Sequence, residues 1–121
     1  MSINRRIFVR CRCSLPVQYA VVPDKIAHRT TTRNMSGSGM NLFTAAKLKT
    51  GTRLHLHLLL PGRPQPVVCV GEVIWSGALI TDDDRALPSA CEAGVQFTEI
   101  APEDQAALVL YAAAQALRQP A

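Results

Sequence analysis

Residues 9–21 read Val9-Arg10-Cys11-Arg12-Cys13-Ser14-Leu15-Pro16-Val17-Gln18-Tyr19-Ala20-Val21, and every odd position is apolar. Arg10, Arg12, Ser14 and Gln18 between them are polar. Successive side chains of a strand point to opposite faces, so this period of two specifies a long half-buried strand. Pro16 removes one ladder donor and marks an edge or a bulge, and Pro23-Asp24 turns the chain out of the strand. His28–Arg33, rich in threonine, reads as a second strand. Asn34-Met35-Ser36-Gly37-Ser38-Gly39 reads as a tight loop, because two glycines and an Asx-type turn at Asn34 favour one. Met40–Phe43 returns as a short strand.

The same alternation recurs downstream. Lys49-Thr50-Gly51 is a turn, and Thr52–Leu60 places Leu54, Leu56, Leu58 and Leu60 on one face with His55 and His57 on the other. The proline-rich connection 61–66 leads into a partner strand, Val67–Trp75. A polar loop from Thr81 to Ala90, with aspartates at 82, 83 and 84, precedes a strand at Glu92–Phe97. Then the period changes. Pro102 suits the first position of a helix, Glu103 and Asp104 suit its dipole, and the alanine-rich stretch runs to about residue 118. Several short strands followed by one helix predict a mainly β chain: a small antiparallel barrel or sandwich with a C-terminal helix.

Composition bounds the function. A chain of 121 residues, 48% hydrophobic and 18% charged, makes one globular domain, and no apolar run approaches the ~20 residues of a membrane span. No secretory signal precedes the first strand, so a cytoplasmic, stand-alone protein without membrane insertion is expected. The net charge of +4 conceals a split. Residues 1–53 hold ten basic side chains and one acid, a balance of +9; residues 54–121 hold three basic and eight acidic, a balance of −5. The N-terminal half is thus suited to face an anion.

Catalytic equipment is missing from the pattern: no nucleophile elbow, Walker loop or zinc-protease motif occurs, so no enzyme, metal or cofactor is expected. The four cysteines fall on or near apolar rows and read as core thiols rather than disulfides or ligands. Six aromatic residues are few for the stacking platform that a single-stranded nucleic acid requires. The arginines are more informative. Arg5 and Arg6 precede the first strand and Arg10 lies on its polar face. Guanidinium groups fork onto phosphate and onto the edge of guanine. Asn34, Ser36 and Ser38 supply amide and hydroxyl groups, and Gly37 and Gly39 allow a flat ligand near the backbone. Together these describe a purine-nucleotide pocket.

Arg6-Ile7-Phe8-Val9-Arg10 fits RxxxR and Asn34-Met35-Ser36-Gly37-Ser38-Gly39 fits [D/N]xSxxG. In that order, in a small β-rich chain, they resemble the PilZ family of bacterial cyclic di-GMP receptors. Leu48–Thr52, Val73-Ile74-Trp75 and Gly94-Val95-Gln96-Phe97 extend the resemblance over about residues 4–117. It implies a six-stranded antiparallel barrel at about 9–99 with a helix at about 102–118, and a flexible arginine-bearing N-terminus at about 1–8 that closes over the ligand. It also implies that Arg5, Arg6 and Arg10 hold phosphate and guanine groups, that Asn34, Ser36, Gly37, Ser38 and Gly39 surround one guanine, and that Trp75 supplies a flat surface. Trp75 has a second reading as a core residue at the end of a strand. Ser38 departs from the family's usual glycine, at about 1 kcal/mol if that position requires a positive φ. The function implied is an adaptor that answers cyclic di-GMP, in motility or biofilm control, through an unidentified protein effector. The alternative is an interaction module of the same fold without ligand binding, serving type IV pilus or flagellar machinery.

Overall fold

Pro16 breaks the first strand in two. The computed structural model describes residues 8–80 and 86–118, and in it the alternating run forms β1 (Cys11–Arg12) and β2 (Pro16–Val21) with a gap between them. Both lie antiparallel along the same edge of β3 (His28–Met35): Arg12 pairs with Asn34, and Pro16 with Thr31. Across the gap Thr32 replaces the missing ladder. Its Oγ1 accepts the Leu15 N–H at 3.0 Å and donates to the Cys13 carbonyl, and its own N–H donates to the Leu15 carbonyl at 3.0 Å. Thr32 is buried, so these groups have no water to turn to.

The remaining elements are β4 (Gly39–Thr44), β5 (Arg53–Leu58), β6 (Val67–Ile80), β7 (Ala86–Glu99) and α1 (Pro102–Arg118). The order β3-β2-β5-β6-β7-β4 closes where β4 pairs with β3, giving a six-stranded antiparallel barrel with β1 as an extra strand. Closure decides for the barrel over the sandwich. The expected phase holds: Leu54, Leu56 and Leu58 are fully buried while His55 and His57 face out. Cys11 and Cys69 are buried, and all four thiols are free. The Lys49–Gly51 and Pro61-Gly62 turns use glycine at left-handed φ, 92° at Gly51 and 82° at Gly62. Helix α1 buries Leu108 and Ala112 against the barrel, and Arg63 ties the β5–β6 connection to Asp104 at 3.0 Å. No helix among the described residues is long and apolar enough to cross a membrane.

Two boundaries differ from expectation. β6 and β7 are each 14 residues long, because their pairing continues past Trp75↔Gly94 to Ile80↔Ala86. The polar loop is correspondingly shorter, and its aspartates lie outside the described residues. Strand β3 also runs on through Asn34 and Met35, since both pair with β1 on one side and β4 on the other. The tight loop is therefore only Ser36-Gly37-Ser38. Val9, on the apolar row of the sequence, is exposed ahead of β1.

Two outcomes follow from this packing. Thr32→Val keeps the shape but leaves the Leu15 N–H and Cys13 carbonyl unpaired, at about 1–3 kcal/mol per group. Urea denaturation should show that loss for Thr32→Val and little loss for Thr32→Ser. Burial pushes the Cys11 and Cys69 thiols up to about 12, helped at Cys11 by Cys13 and at Cys69 by the Asp104 charge. In the unfolded chain both ionise near their ordinary value of 9.0. Above about pH 9 the unfolded state therefore holds fewer protons than the folded one, and stability falls as pH rises toward 12. The urea midpoint of a Cys11→Ala/Cys69→Ala variant should fall less steeply over that window than that of the parent chain.

Candidate ligand site

The outward positions of five strands line up across the barrel wall. Arg12 of β1 pairs with Asn34 of β3, Asn34 with Asn41 of β4, Asn41 with Gly94 of β7, and Gly94 with Trp75 of β6. Two register shifts shape this row. One lies in the β3–β4 ladder between Thr32 and Asn34, so Arg33 is the extra residue; the other lies in the β6–β7 ladder between Val73 and Trp75. A bulge bends its strand and re-aims the neighbouring side chains. Here the first sends Arg33 to the same wall as Asn34, and the second sets Trp75 directly over Gly94.

The indole needs that glycine. A Cβ at position 94 would stand 2.6 Å from Cδ1 and Cε2 of Trp75. Trp75 is 41% exposed, so it is a surface platform and not a core residue. At the other end, Arg10 Nη1 donates to Asn34 Oδ1 at 3.2 Å. Along β7, the Glu92 carboxylate accepts from Arg33 Nη1 at 3.1 Å; the Glu92 side chain is 10% exposed and that of Arg33 50%. Arg12, Arg33, Asn34, Asn41, Trp75 and Glu92 enclose a cavity of about 570 Å³. The cavity thus brings two guanidinium groups (Arg12 and Arg33), one carboxylate, two amides and an aromatic face together, with Arg10 bonded to the amide at its edge. Guanidinium groups, amides and an aromatic face are the groups that a planar anion would engage.

The loop plays a different part. Ser36 and Ser38 are buried, their hydroxyls 3.0 Å apart, and Ser36 Oγ also accepts the Ser38 N–H at 3.2 Å. The Ser36 N–H donates to the Gly39 carbonyl at 2.9 Å, and the Phe97 N–H to the Ser38 carbonyl at 2.9 Å. Gly37 lies beneath α1: a Cβ there would come within 2.5 Å of Val109 Cγ2, and Gln105 Nε2 donates to its carbonyl at 2.9 Å. Gly39 lies against the Val95 carbonyl with no room for a Cβ. Both glycines serve close approach rather than left-handed backbone.

Of the residues expected at the site, the structure brings Arg10, Asn34 and Trp75 to one wall and places Ser36, Gly37 and Ser38 in the buried loop that follows β3, with Gly39 at the start of β4. Arg5 and Arg6 lie outside the described residues. Arg12, Arg33, Asn41 and Glu92 were not anticipated. Three of them carried a signal: Arg12 shares the outward phase of Arg10, Asn41 sits between two buried residues, and Glu92 shares the phase of Gly94. Arg33 carried none, because a bulge sets its direction. Among the described residues no group of three or more His, Cys, Asp or Glu could hold a metal ion.

A family model for the PilZ domain matches residues 4–114. A search of curated proteins finds no match. Among solved structures, the inhibitor of motility MotI/DgrA of Bacillus subtilis is similar at 24% identity and a TM-score of 0.76, over 98% of this chain and 55% of that one. The PilZ domain of YcgR from Escherichia coli, solved with c-di-GMP, is similar at 16% identity and a TM-score of 0.67, over 95% of this chain and 94% of that one. MrkH of K. pneumonia is similar at 15% identity and a TM-score of 0.70, over 99% of this chain and 53% of that one. The chain thus spans about half the length of MotI/DgrA and MrkH. At these identities the likeness is one of fold.

Trp75 is the sole tryptophan, so its platform can be watched directly. Gly94→Ala should drive the indole off the wall, shifting its emission to the red while far-ultraviolet circular dichroism stays unchanged; unshifted emission would show that the indole does not rest on this glycine.

Proposed function

The chain belongs to the PilZ domain family, and we propose that it is a cytoplasmic cyclic di-GMP receptor that acts as an adaptor, changing its contacts with a protein effector when the ligand binds. The observation that carries this reading is the Arg10–Asn34 hydrogen bond. It joins the second arginine of RxxxR to the first residue of NxSxxG, at one end of a row that finishes on Trp75.

Each group has a task that its chemistry suits. Arg10 forks onto a ligand phosphate or the edge of a guanine, and Arg5 and Arg6 add further cations from the N-terminal segment. Asn34 offers its amide to a guanine, and Trp75 lends a flat apolar face on which a purine stacks. Ser36 to Gly39 act behind the wall by fixing Asn34. The cationic rim draws the dinucleotide in, and two phosphates release few counterions, so affinity depends only shallowly on salt. A binding module of this kind carries no acid–base pair and transforms nothing. The shared fold with an inhibitor of motility and with a domain solved with c-di-GMP is consistent with the reading, and motility or biofilm control is the output we propose.

Calorimetric titration with cyclic di-GMP tests it. Charge-assisted hydrogen bonds are worth about 1.5–3 kcal/mol, so Arg10→Ala and Arg6→Ala should each weaken binding at least about tenfold. Unchanged affinity in both variants would remove the site assignment. No binding by the parent chain would leave an interaction module of the same fold, serving pilus or flagellar machinery.

A further inference from the structure

Glu92 is out of place for a purely structural residue. It occupies an outward position on β7, between Ala93 of the core and the β6 partner Gly77, yet its side chain is nine-tenths buried. Glutamate is rarely buried unless paired, and an apolar replacement of a buried ion pair is often neutral or stabilising. The pair with Arg33 is therefore weak support for the fold by itself. Its location is more telling. The carboxylate lines the same cavity as Trp75, and its strand position lies two residues from Gly94, on which the indole rests. Two residues of strand span about 7 Å, so a purine stacked on the indole reaches the carboxylate with its outer edge.

We infer, building on the reading of this cavity as a cyclic di-GMP site, that Glu92 is the residue that selects guanine over adenine. The Watson–Crick edge of guanine presents the N1–H and the N2 amino group side by side, two donors matched to two carboxylate oxygens. Adenine presents an acceptor, N1, in the middle of that edge and no N2 amino group, so its lone pair faces the negative charge. An ionised carboxylate only accepts, with about four lone-pair sites on its two oxygens. Arg33 Nη1 contacts Oε2, which leaves acceptor capacity for the base while the ion pair stays in place. Arg33 is the positioning residue: its contact with Oε2 holds the carboxylate in its orientation. The bulge that turns Arg33 outward is thus part of base selection.

The test is a cycle between protein and ligand. The parent chain and Glu92→Gln are each titrated with cyclic di-GMP, with cyclic di-IMP, which keeps N1–H but lacks the N2 amino group, and with cyclic di-AMP. The parent should bind the guanine ligand at least about tenfold more tightly than the inosine ligand, and the adenine ligand more weakly still. In Glu92→Gln, which is isosteric and keeps only one acceptor oxygen, the guanine-over-inosine preference should shrink to within about threefold. Arg33→Lys, which retains one cation beside Glu92, should keep most of it. A merely structural role for Glu92 would weaken all ligands in proportion and leave their ratios unchanged; that result overturns the inference while the receptor reading stands. If the parent binds none of the three, the receptor reading falls and this inference with it.

Discussion

Closing the barrel requires β3 to be paired along both edges, and that requirement shapes the rest of the molecule. One edge meets β4 from Thr32 to Met35; the other meets β2 and then β1, with a gap opened by Pro16. A buried backbone group without a partner is expensive, so the gap has to be filled by something other than a ladder. Thr32 fills it with a side chain. Next to Thr32 the register slips by one residue at Arg33, and from there the strand presents Arg33 and Asn34 to the outer wall. The device that completes the barrel therefore also builds one side of the cavity.

A second irregularity, one strand pair away, builds the other side. The slip before Trp75 lays the indole on Gly94, and the bare glycine backbone lets it lie flat. Between the two bulges the wall is regular sheet, so Asn41 and Glu92 are held by a continuous ladder rather than by loops. Side chains on paired strands have little freedom to relax, and a site built on them is pre-organised. This favours the few oriented contacts that a planar base needs. Two of the guanidinium groups on this side are themselves oriented by the wall, Arg10 by Asn34 and Arg33 by Glu92.

How much of this could be read from sequence depends on which interactions are periodic. The alternation at 9–21 and 54–60 is enforced by the core itself, and the strands, their facing and the helix start at Pro102 followed from it. Glycine at 51 declared its turn because its φ of 92° suits no other residue as well. Three features were hidden. The β6–β7 hairpin extends beyond the part that covers the core, where no apolar period marks it. The bulges depend on which strands close against which, a long-range fact that no local pattern carries. Ser36 and Ser38 are polar in sequence, but nothing local shows that both are buried with their hydroxyls on each other. A short polar motif thus does not declare which of its members face outward.

The buried serine loop has a mechanical consequence. Asn34 is joined to it through Met35, and the loop is clamped from three sides: by Gln105 and Val109 of α1 on Gly37, by the Phe97 amide on Ser38, and by the Val95 carbonyl against Gly39. A packed contact of this kind has no slack, because a displacement of tenths of an ångström already loses dispersion energy. The helix also carries Asp104, which holds the β5–β6 connection through Arg63. The loop behind Asn34 and the β5–β6 connection are thus both anchored on one helix, the first through Gly37 and the second through Arg63.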